Sequence, residues 1–309
     1  SVKVRSWTDD LTGTLSLDLP KGWKAQPPYI DVAIAKADKE ENFEFEIIPP
    51  AESSKGKVKA VFQSGDQKIS KSFVDIQYDH IPYQSIFNES SATLLRLESK
   101  GQVKKVGYIM GAGDLVAQNL EEAGYEVTMI NEDNIDATQL SDFETILIGI
   151  RAYNTENWLL QQHERLMEYV KTGGNLIVQY QTTWGLLTDE IGPYPFEIGR
   201  GRVTVEEADM KILKGGKRVT SQPNKLNKAD FQDWVQERGL YFAESWDERY
   251  QTVFEMNDPG EDPLQGSLLI APYGKGHFMY TGISFFRELP AGVPGAFRLL
   301  SNLIDYGQE

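Results

Sequence analysis

The chain has 309 residues, of which 40% are hydrophobic, and this is ample for packed cores in about two domains. Its formal net charge of −15, from 31 basic and 46 acidic residues, disfavours nucleic acid and anionic membranes as partners. The absence of cysteine excludes disulfides, thiolate catalysis and zinc–sulfur sites, and no apolar run approaches the roughly 20 residues that a membrane-spanning helix needs.

Residues 1–83 alternate apolar and polar side chains, as strands with one buried face do. The segments "LSLDL", "FEFEI" and "VKAVF" show this period of two, and turn clusters such as "PKGW" and "SGDQ" separate them. Short alternating strands at this spacing predict an antiparallel, immunoglobulin-like β-sandwich. Residues 84–102 follow Pro82 and are predicted to be a linker or an edge segment.

Residues 103–309 alternate strand-like and helix-like segments. "VKKVGYIM", "EVTMI", "TILIGI" and "NLIVQYQ" read as buried strands, with one helix over 114–123 and another that Thr155 can cap. This alternation predicts a flavodoxin-like α/β domain with a mostly parallel sheet. Residues 185–266 interrupt it and are predicted to be a long insertion containing one helix, "ADFQDWVQE".

A glycine-rich turn follows the first of these strands and resembles part of a dinucleotide-binding motif. Gly111 and Gly113 fit its first two glycines, but the third position holds Val116. Asp114 stands where the helix begins, so its carboxylate would cap the free N–H groups and repel a bound phosphate. We therefore predict a tight turn with an Asp cap and no NAD, FAD or other cofactor.

Several segments together resemble a known family. They include "GYIMGAGDLV", "ILIGIRAYN", "YVKTGGNLIVQYQT" and the long block around "GISFFRELPAGVPGAFRLL". They are similar to the C-terminal half of large LmbE-like (PIG-L type) deacetylases of Bacteroidetes-like bacteria. The resemblance covers most of the chain. It implies a zinc-dependent N-acetylglucosamine-type deacetylase domain upstream, then a sandwich domain and a class I glutamine-amidotransferase-like, ThuA-like domain.

The catalytic groups that the resemblance implies are missing from this chain. The three histidines, His80, His163 and His277, are far apart and have no paired-acid motif beside them, so we predict no metal site. The amidotransferase elbow should follow "LIVQY", where no Cys stands, and the later loop has Glu288 but no His. The catalytic triad of that family is thus incomplete, and we assign no catalytic residue.

Polar side chains at the predicted carboxyl ends of the strands are the candidate ligand site, since open parallel sheets bind ligands there. The candidates are Asp114, Arg151, Tyr153, Asn154, Gln181, Thr183, Ser284, Arg287 and Glu288. Arg151 and Arg287 suit a sugar or a carboxylate as charge-assisted donors. The competing interpretation is that Arg151 and Glu288 form internal ion pairs. Three tryptophans in or beside the insertion are expected to be buried anchors, namely Trp184, Trp234 and Trp246.

The leading hypothesis is a non-catalytic accessory region of a carbohydrate deacetylase that binds glycan or packs on the deacetylase domain. One alternative is a sugar-active hydrolase or isomerase that uses Glu288, Arg151 and Arg287, which leaves enzymatic status open. Another is a structural or oligomerisation module. The chain opens "SVKVRSWTDD" without Met or a signal peptide, so its natural N-terminus is expected upstream. The resemblance implies a periplasmic or secreted location, and the composition leaves a cytoplasmic one open.

Overall fold

A computed structural model describes residues 1–307, and the chain divides into two units. Antiparallel strands build the first unit, Ser1–Glu98. Its central sheet has the order β11-β7-β2-β4, with β8 also paired to β7, and two-stranded ladders join β1 to β5, β3 to β6 and β9 to β10. The strands of this unit are β1 Val2–Arg5, β2 Leu11–Asp18, β3 Lys24–Gln26, β4 Tyr29–Ile34, β5 Glu40–Phe43, β6 Glu46–Ile48, β7 Ser54–Ser64, β8 Gln67–Ile69, β9 Lys71–Ile76, β10 Gln84–Glu89 and β11 Ser91–Arg96.

Residues from separate sheets share the apolar core of this unit. Leu15 on β2 and Val32 on β4 pack with Phe62 on β7, and Val4 of β1 and Phe43 of β5 lie against them. The alternation read from the sequence therefore does mark one buried face.

Of the two predictions for residues 84–102, the linker is wrong over residues 84–96, which form edge strands of the first unit. β10 pairs with β9, β11 pairs with β7, and the first unit extends to Glu98. The sequence did not indicate these two strands, because "QSIFNE" and "SATLLR" have few apolar residues in alternation. Strands can still pair through their backbones without burying a side chain.

A mixed seven-stranded sheet forms the second unit, Ser99–Glu309, in the order β13-β12-β14-β15-β22-β21-β19. The first five strands of this order are parallel to one another, whereas β21 is antiparallel to β22, and β19 is antiparallel to β21. Its strands are β12 Lys105–Ile109, β13 Glu126–Ile130, β14 Thr145–Ile148, β15 Asn175–Gln179, β19 Gln251–Thr252, β21 Leu268–Tyr273 and β22 Gly276–Thr281.

Helices cover both faces of this sheet, which explains why its central strands are apolar throughout. On one face Leu120 and Leu299 join a core with Leu147, and on the other Leu166 and Val170 join a second core. The helices are α1 Val116–Glu122, α2 Ala152–Thr155, α3 His163–Thr172, α4 Phe285–Glu288 and α5 Pro294–Ile304. The prediction that Thr155 caps the following helix is wrong, because Thr155 is the last residue of α2. No helix described within residues 1–307 has the length and apolar character to cross a membrane.

The region predicted as an insertion over the sheet is built into the domain. β19 lies at the edge of the main sheet, and Phe242 and Phe254 belong to one of the two cores. The remaining strands form small ladders of β16 with β18 and of β17 with β20, with bounds β16 Phe196–Val203, β17 Lys211–Ile212, β18 Gly239–Trp246 and β20 Phe254–Glu255.

The helix predicted over 229–237 is wrong. A short 3₁₀ turn, Lys228–Phe231, is present and Asn227 and Asp230 cap it reciprocally. Asp233 and Gln236 have φ of 57° and 69°, so the backbone turns left-handed where a helix would continue. This irregular path delivers Glu237 and Arg238 to the carboxyl end of β22.

Candidate functional site

The candidate residues follow four parallel strands that are neighbours in the sheet, β12, β14, β15 and β22. Parallel neighbours end at the same edge, so their loops meet there. The loops carry residues 110–115, 149–151, 180–187 and 282–284. We call this edge of the second unit the strand-end site.

The Asp114 carboxylate accepts the first N–H of α1, but the N-cap position is Leu115, one residue later than the predicted Asp cap. The backbone N–H of Val116 donates to Asp114 Oδ1 at 2.9 Å, and the Tyr108 hydroxyl donates to both carboxylate oxygens at 2.7 and 2.8 Å. Tyr108 is buried, and burial followed by the charge of Asp114 raises the pKa of its hydroxyl well above the usual range. Gln179 Nε2 donates to the same hydroxyl at 3.0 Å. This network gives the carboxylate a structural role.

The two glycines of the turn have conformational reasons to be glycine. A Cβ on Gly111 would lie 2.3 Å from the Ile150 carbonyl oxygen, so a side chain would push the β12 and β14 loops apart. Gly113 has φ of 98°, which other residues rarely adopt. A tight structural turn accounts for both. The prediction that this turn binds no NAD or FAD stays a prediction.

Arg151 occupies a strained position directly after the β14 loop. Its φ is 56° and its ψ is 20°, the left-handed region, and its N–H donates to the Tyr180 carbonyl oxygen at 2.9 Å. The Arg151 side chain has no salt bridge or hydrogen bond within residues 1–307, and its Nε is buried. Neither Arg151 nor Glu288 therefore forms, within residues 1–307, the internal ion pair that the competing interpretation assigned to it.

Three further candidates hold the loops together. Gln181 is buried, accepts the Tyr153 N–H at 2.8 Å and donates to the Gln179 carbonyl oxygen at 2.7 Å. The Asn154 side chain accepts the Thr182 N–H and donates to the Thr182 carbonyl oxygen, both at 2.9 Å. Tyr153 is fully buried, so it cannot meet a ligand in this conformation. Thr183, by contrast, is half-buried on the same loop.

An aromatic cluster that sequence analysis missed lies beside Arg151. Tyr180 stacks on Tyr241 with ring centroids 5.7 Å apart and planes 9° apart, and Phe286 lies 5.2 Å from Tyr180. Burial raises the pKa of the Tyr180 hydroxyl, while the positive charges of Arg151 and Arg287 lower it. Both guanidinium groups therefore act on one tyrosine. The position of Tyr180 directly after β15 could have identified it as a site residue from the sequence. No sequence pattern around Tyr241 indicates its left-handed φ of 52°.

Arg287 is held by partners from the irregular 233–238 segment. Its Nε donates to Glu237 Oε1 at 2.8 Å, its Nη1 donates to Gln236 Oε1 at 2.8 Å, and its guanidinium carbon lies 4.7 Å from the Phe286 ring centroid. Glu237 is buried and is also paired with Arg202 at 2.8 Å. Arg287 thus forms an internal ion pair that the sequence analysis did not assign to it, with Glu237 as its partner.

Glu288 and Ser284 lie beneath this pair and are fully buried. Glu288 accepts the Val235 N–H at 3.0 Å and the Ser284 hydroxyl at 3.3 Å. Burial raises the pKa of Glu288 to about 7, although these hydrogen bonds and the charge of Arg238 oppose the rise. Glu288 therefore keeps its proton to near neutral pH, in a place that a substrate does not reach.

The tryptophans divide between core and surface. Trp234 is buried and Trp246 is half-buried, as expected, but Trp184 is 82% exposed, which corrects the expectation that it is a buried anchor. The Trp184 carbonyl oxygen accepts bonds from Asn154 Nδ2 at 3.3 Å and Thr182 Oγ1 at 2.9 Å. The loop after β15 is therefore anchored while it presents an indole ring to solvent.

A scan against protein-family models gave no match, and neither did a search among curated proteins. Three solved structures are similar to parts of the chain. A β-galactosidase from Rahnella sp. R3 has a TM-score of 0.37 and 16% identity over 65% of this chain, which spans 31% of the β-galactosidase. PurLQS from Thermotoga maritima has a TM-score of 0.40 and 13% identity over 66% of this chain and 99% of its own. A cytoplasmic protein from Salmonella typhimurium LT2 has a TM-score of 0.41 and 15% identity over 82% of this chain and 95% of its own. These similarities are too distant to assign a function.

Arg151→Gly is expected to be more stable than Arg151→Ala by about 1 kcal/mol, because both lose the guanidinium but only glycine relieves the left-handed backbone. Urea denaturation measures the difference. The same two changes at Glu168, exposed within α3, are the control, and there glycine should be the less stable by roughly 0.5–1 kcal/mol. Equal stabilities of the two Arg151 variants would contradict strain at this residue.

Glu288→Gln is expected to flatten the dependence of stability on pH. The folded state holds the Glu288 proton up to a pH of about 7, whereas the ordinary value is 4.5, so the folded state binds more protons between these values. The parent's free energy of unfolding should then fall as pH rises through this window. Unfolding at about pH 5 and about pH 8 measures the slope. The exposed Glu261→Gln should keep the parent slope, and an unchanged slope in Glu288→Gln would refute the assignment.

Proposed function

We propose that this chain is a non-catalytic accessory region of a PIG-L/LmbE-type carbohydrate deacetylase and binds glycan at the strand-end site. In this proposal the first unit is an immunoglobulin-like sandwich and the second a flavodoxin-like, amidotransferase-like domain without its catalytic triad. The natural partners are a glycan and the deacetylase domain, and the location is periplasmic or secreted.

One observation carries the proposal, namely the unpaired Arg151 guanidinium at a strained residue beside stacked aromatic rings. Backbone strain of this kind persists where the surroundings over-determine it, and such residues cluster at ligand sites. Sugar recognition commonly combines aromatic faces with a few placed polar groups. Tyr180, Tyr241 and the exposed Trp184 supply rings, and Arg151 supplies donors.

The alternative of a sugar-active enzyme has less support. It needs Glu288 and Arg151 to reach one substrate, but Glu288 is fully buried and bonded to Val235 and Ser284. A raised pKa suits a general acid, yet burial alone produces the same rise in a structural carboxyl group. We therefore assign Glu288 a structural role.

The glycan proposal is tested by isothermal titration with chitotetraose, the N-acetylglucosamine tetrasaccharide. We expect saturable binding that Trp184→Ala weakens about tenfold, or roughly 1.4 kcal/mol, through loss of a stacking face. Tyr29→Ala removes an exposed aromatic ring from the first unit, where it is 58% exposed, and should leave binding unchanged. Equal losses in both variants would place the sugar elsewhere.

A second candidate function, an oligomerisation module, is favoured by an apolar ribbon in the first unit. β9 and β10 pair only with each other among the described strands, so each has an open edge. The ribbon surface is defined by exposed side chains on or near these strands, namely Trp7, Val74, Tyr78, Tyr83, Ile86 and Phe87. Open apolar edges are templates for strand pairing. Glu89, the charged residue of β10, is already paired with Lys59 and Lys71 at 2.8 Å.

Antiparallel pairing of β10 with its copy would place no like charges opposite each other, because Glu89 is the strand's one ionisable side chain. If the ribbon does this, sedimentation velocity should show a concentration-dependent dimer. Ile86→Lys should abolish it by placing a charge at the edge. The control Ile69→Lys changes an equally exposed isoleucine on β8 and should preserve the dimer. A monomer at all concentrations would reject this candidate.

A further inference from the structure

We infer that the strand-end site takes an acidic sugar, and that Arg151 binds the sugar's carboxylate. This inference rests on the proposed glycan function and deepens it by naming the charge and shape of the ligand. It starts from how Arg151 differs from other arginines of the chain.

Most described arginines have an acceptor of their own. Six form ion pairs with carboxylates, and Arg96 and Arg238 donate to backbone carbonyl oxygens. The six are Arg5, Arg165, Arg202, Arg249, Arg287 and Arg298. Arg151 has neither kind of acceptor within residues 1–307, although its Nε is shielded from water. A buried N–H without an acceptor is unfavourable, so an external acceptor that reaches this partly buried guanidinium would gain from binding it.

The backbone holds this side chain in place at an energetic cost. A non-glycine residue in the left-handed region costs about 1–3 kcal/mol. Arg151 has this conformation, and its N–H is bonded to the Tyr180 carbonyl oxygen at 2.9 Å. Backbone strain and a buried, unpartnered Nε thus occur together at one residue of the strand-end site. The fixed backbone sets where the planar donor group of Arg151 begins before a ligand arrives.

A carboxylate fits this donor better than a sugar hydroxyl does. Its two oxygens match the guanidinium fork and form two charge-assisted hydrogen bonds. Arg287 acts on the same tyrosine, but its Nε already donates to Glu237 at 2.8 Å, a carboxylate that Arg202 shares. Arg151, by contrast, has no carboxylate partner within residues 1–307, so its fork is free for the carboxylate of a ligand.

The rings beside Arg151 suit the body of a sugar. Tyr180 and Tyr241 are stacked, and neither hydroxyl forms a hydrogen bond to another described residue. Those hydroxyls are left to donate to or accept from ring hydroxyls of a pyranose. A hexuronic acid combines such a ring with a carboxylate. The net charge of −15 means that attraction to this anion acts at short range only and weakens with added salt.

The test compares three probes by isothermal titration: tetragalacturonate, the neutral chitotetraose and glucose 6-phosphate. We expect tetragalacturonate to bind at least tenfold more tightly than the other two and to weaken as salt is raised. Arg151→Gln should remove this preference. Arg200→Gln deletes the same charge at an exposed residue of β16 and should retain it. Arg151→Lys keeps the charge but loses the fork, and it should bind with intermediate affinity, which separates recognition from misfolding.

The outcomes distinguish the inference from the proposal beneath it. If both saccharides bind equally and Arg151→Gln changes neither, the acidic-sugar inference is wrong while glycan binding stands. If neither saccharide binds, the glycan function itself is wrong. Tighter binding of glucose 6-phosphate than of tetragalacturonate would overturn the assignment of a carboxylate.

Discussion

The hydrogen-bonded register of four parallel strands is the constraint on which the strand-end site depends. β12, β14, β15 and β22 are successive neighbours, so residues far apart in sequence are brought to one edge. Burial on both faces holds the register, because a shift would expose apolar side chains that two layers of helices cover. The positions of Arg151, Tyr180 and Glu288 all follow from this arrangement.

Around that edge, two kinds of polar group can be distinguished by what they bond to. Asp114, Gln181, Asn154 and Glu288 are satisfied by backbone or buried side-chain groups, so they hold loops and helix ends in place. Arg151 has no such partner among the described residues. Buried polar groups in native proteins are nearly always hydrogen-bonded, so the unpartnered Nε of Arg151, beside the stacked rings of Tyr180 and Tyr241, is more informative than any satisfied neighbour.

The first unit faces a different constraint, which is the open edges of its outer strands. Its small apolar core is drawn from separate sheets, and it leaves the β9–β10 ribbon without cover from the described residues. An isolated two-stranded ribbon is marginally stable in water. Trp7 packs edge-on against Phe73 at 5.0 Å, and Phe73 contacts Phe87 at 5.4 Å, which stabilises the ribbon although Trp7 and Phe87 remain over half exposed.

The sequence by itself determined what depends on local patterns. Alternation in "LSLDL" indicated strands, the strand and helix sequence after Val103 indicated a largely parallel sheet, and Asp114 was placed where its carboxylate accepts the first N–H of α1. Each of these features depends on residues that are close in sequence, within one strand or about one or two helical turns. Over that distance, intrinsic propensity and local hydrogen bonds act directly.

Only the tertiary structure decided which separated residues meet and which remain unpaired. The tryptophan at 184 was expected in the core because large aromatics usually are, but its loop is anchored by Asn154 with the ring outward. The left-handed turns at Asp233 and Gln236 ended a segment with helical composition, and they brought Glu237 to Arg287, whereas Arg151 and Glu288 form no salt bridge within residues 1–307. Ion pairs and backbone strain depend on distances across the fold, and no local pattern encodes these.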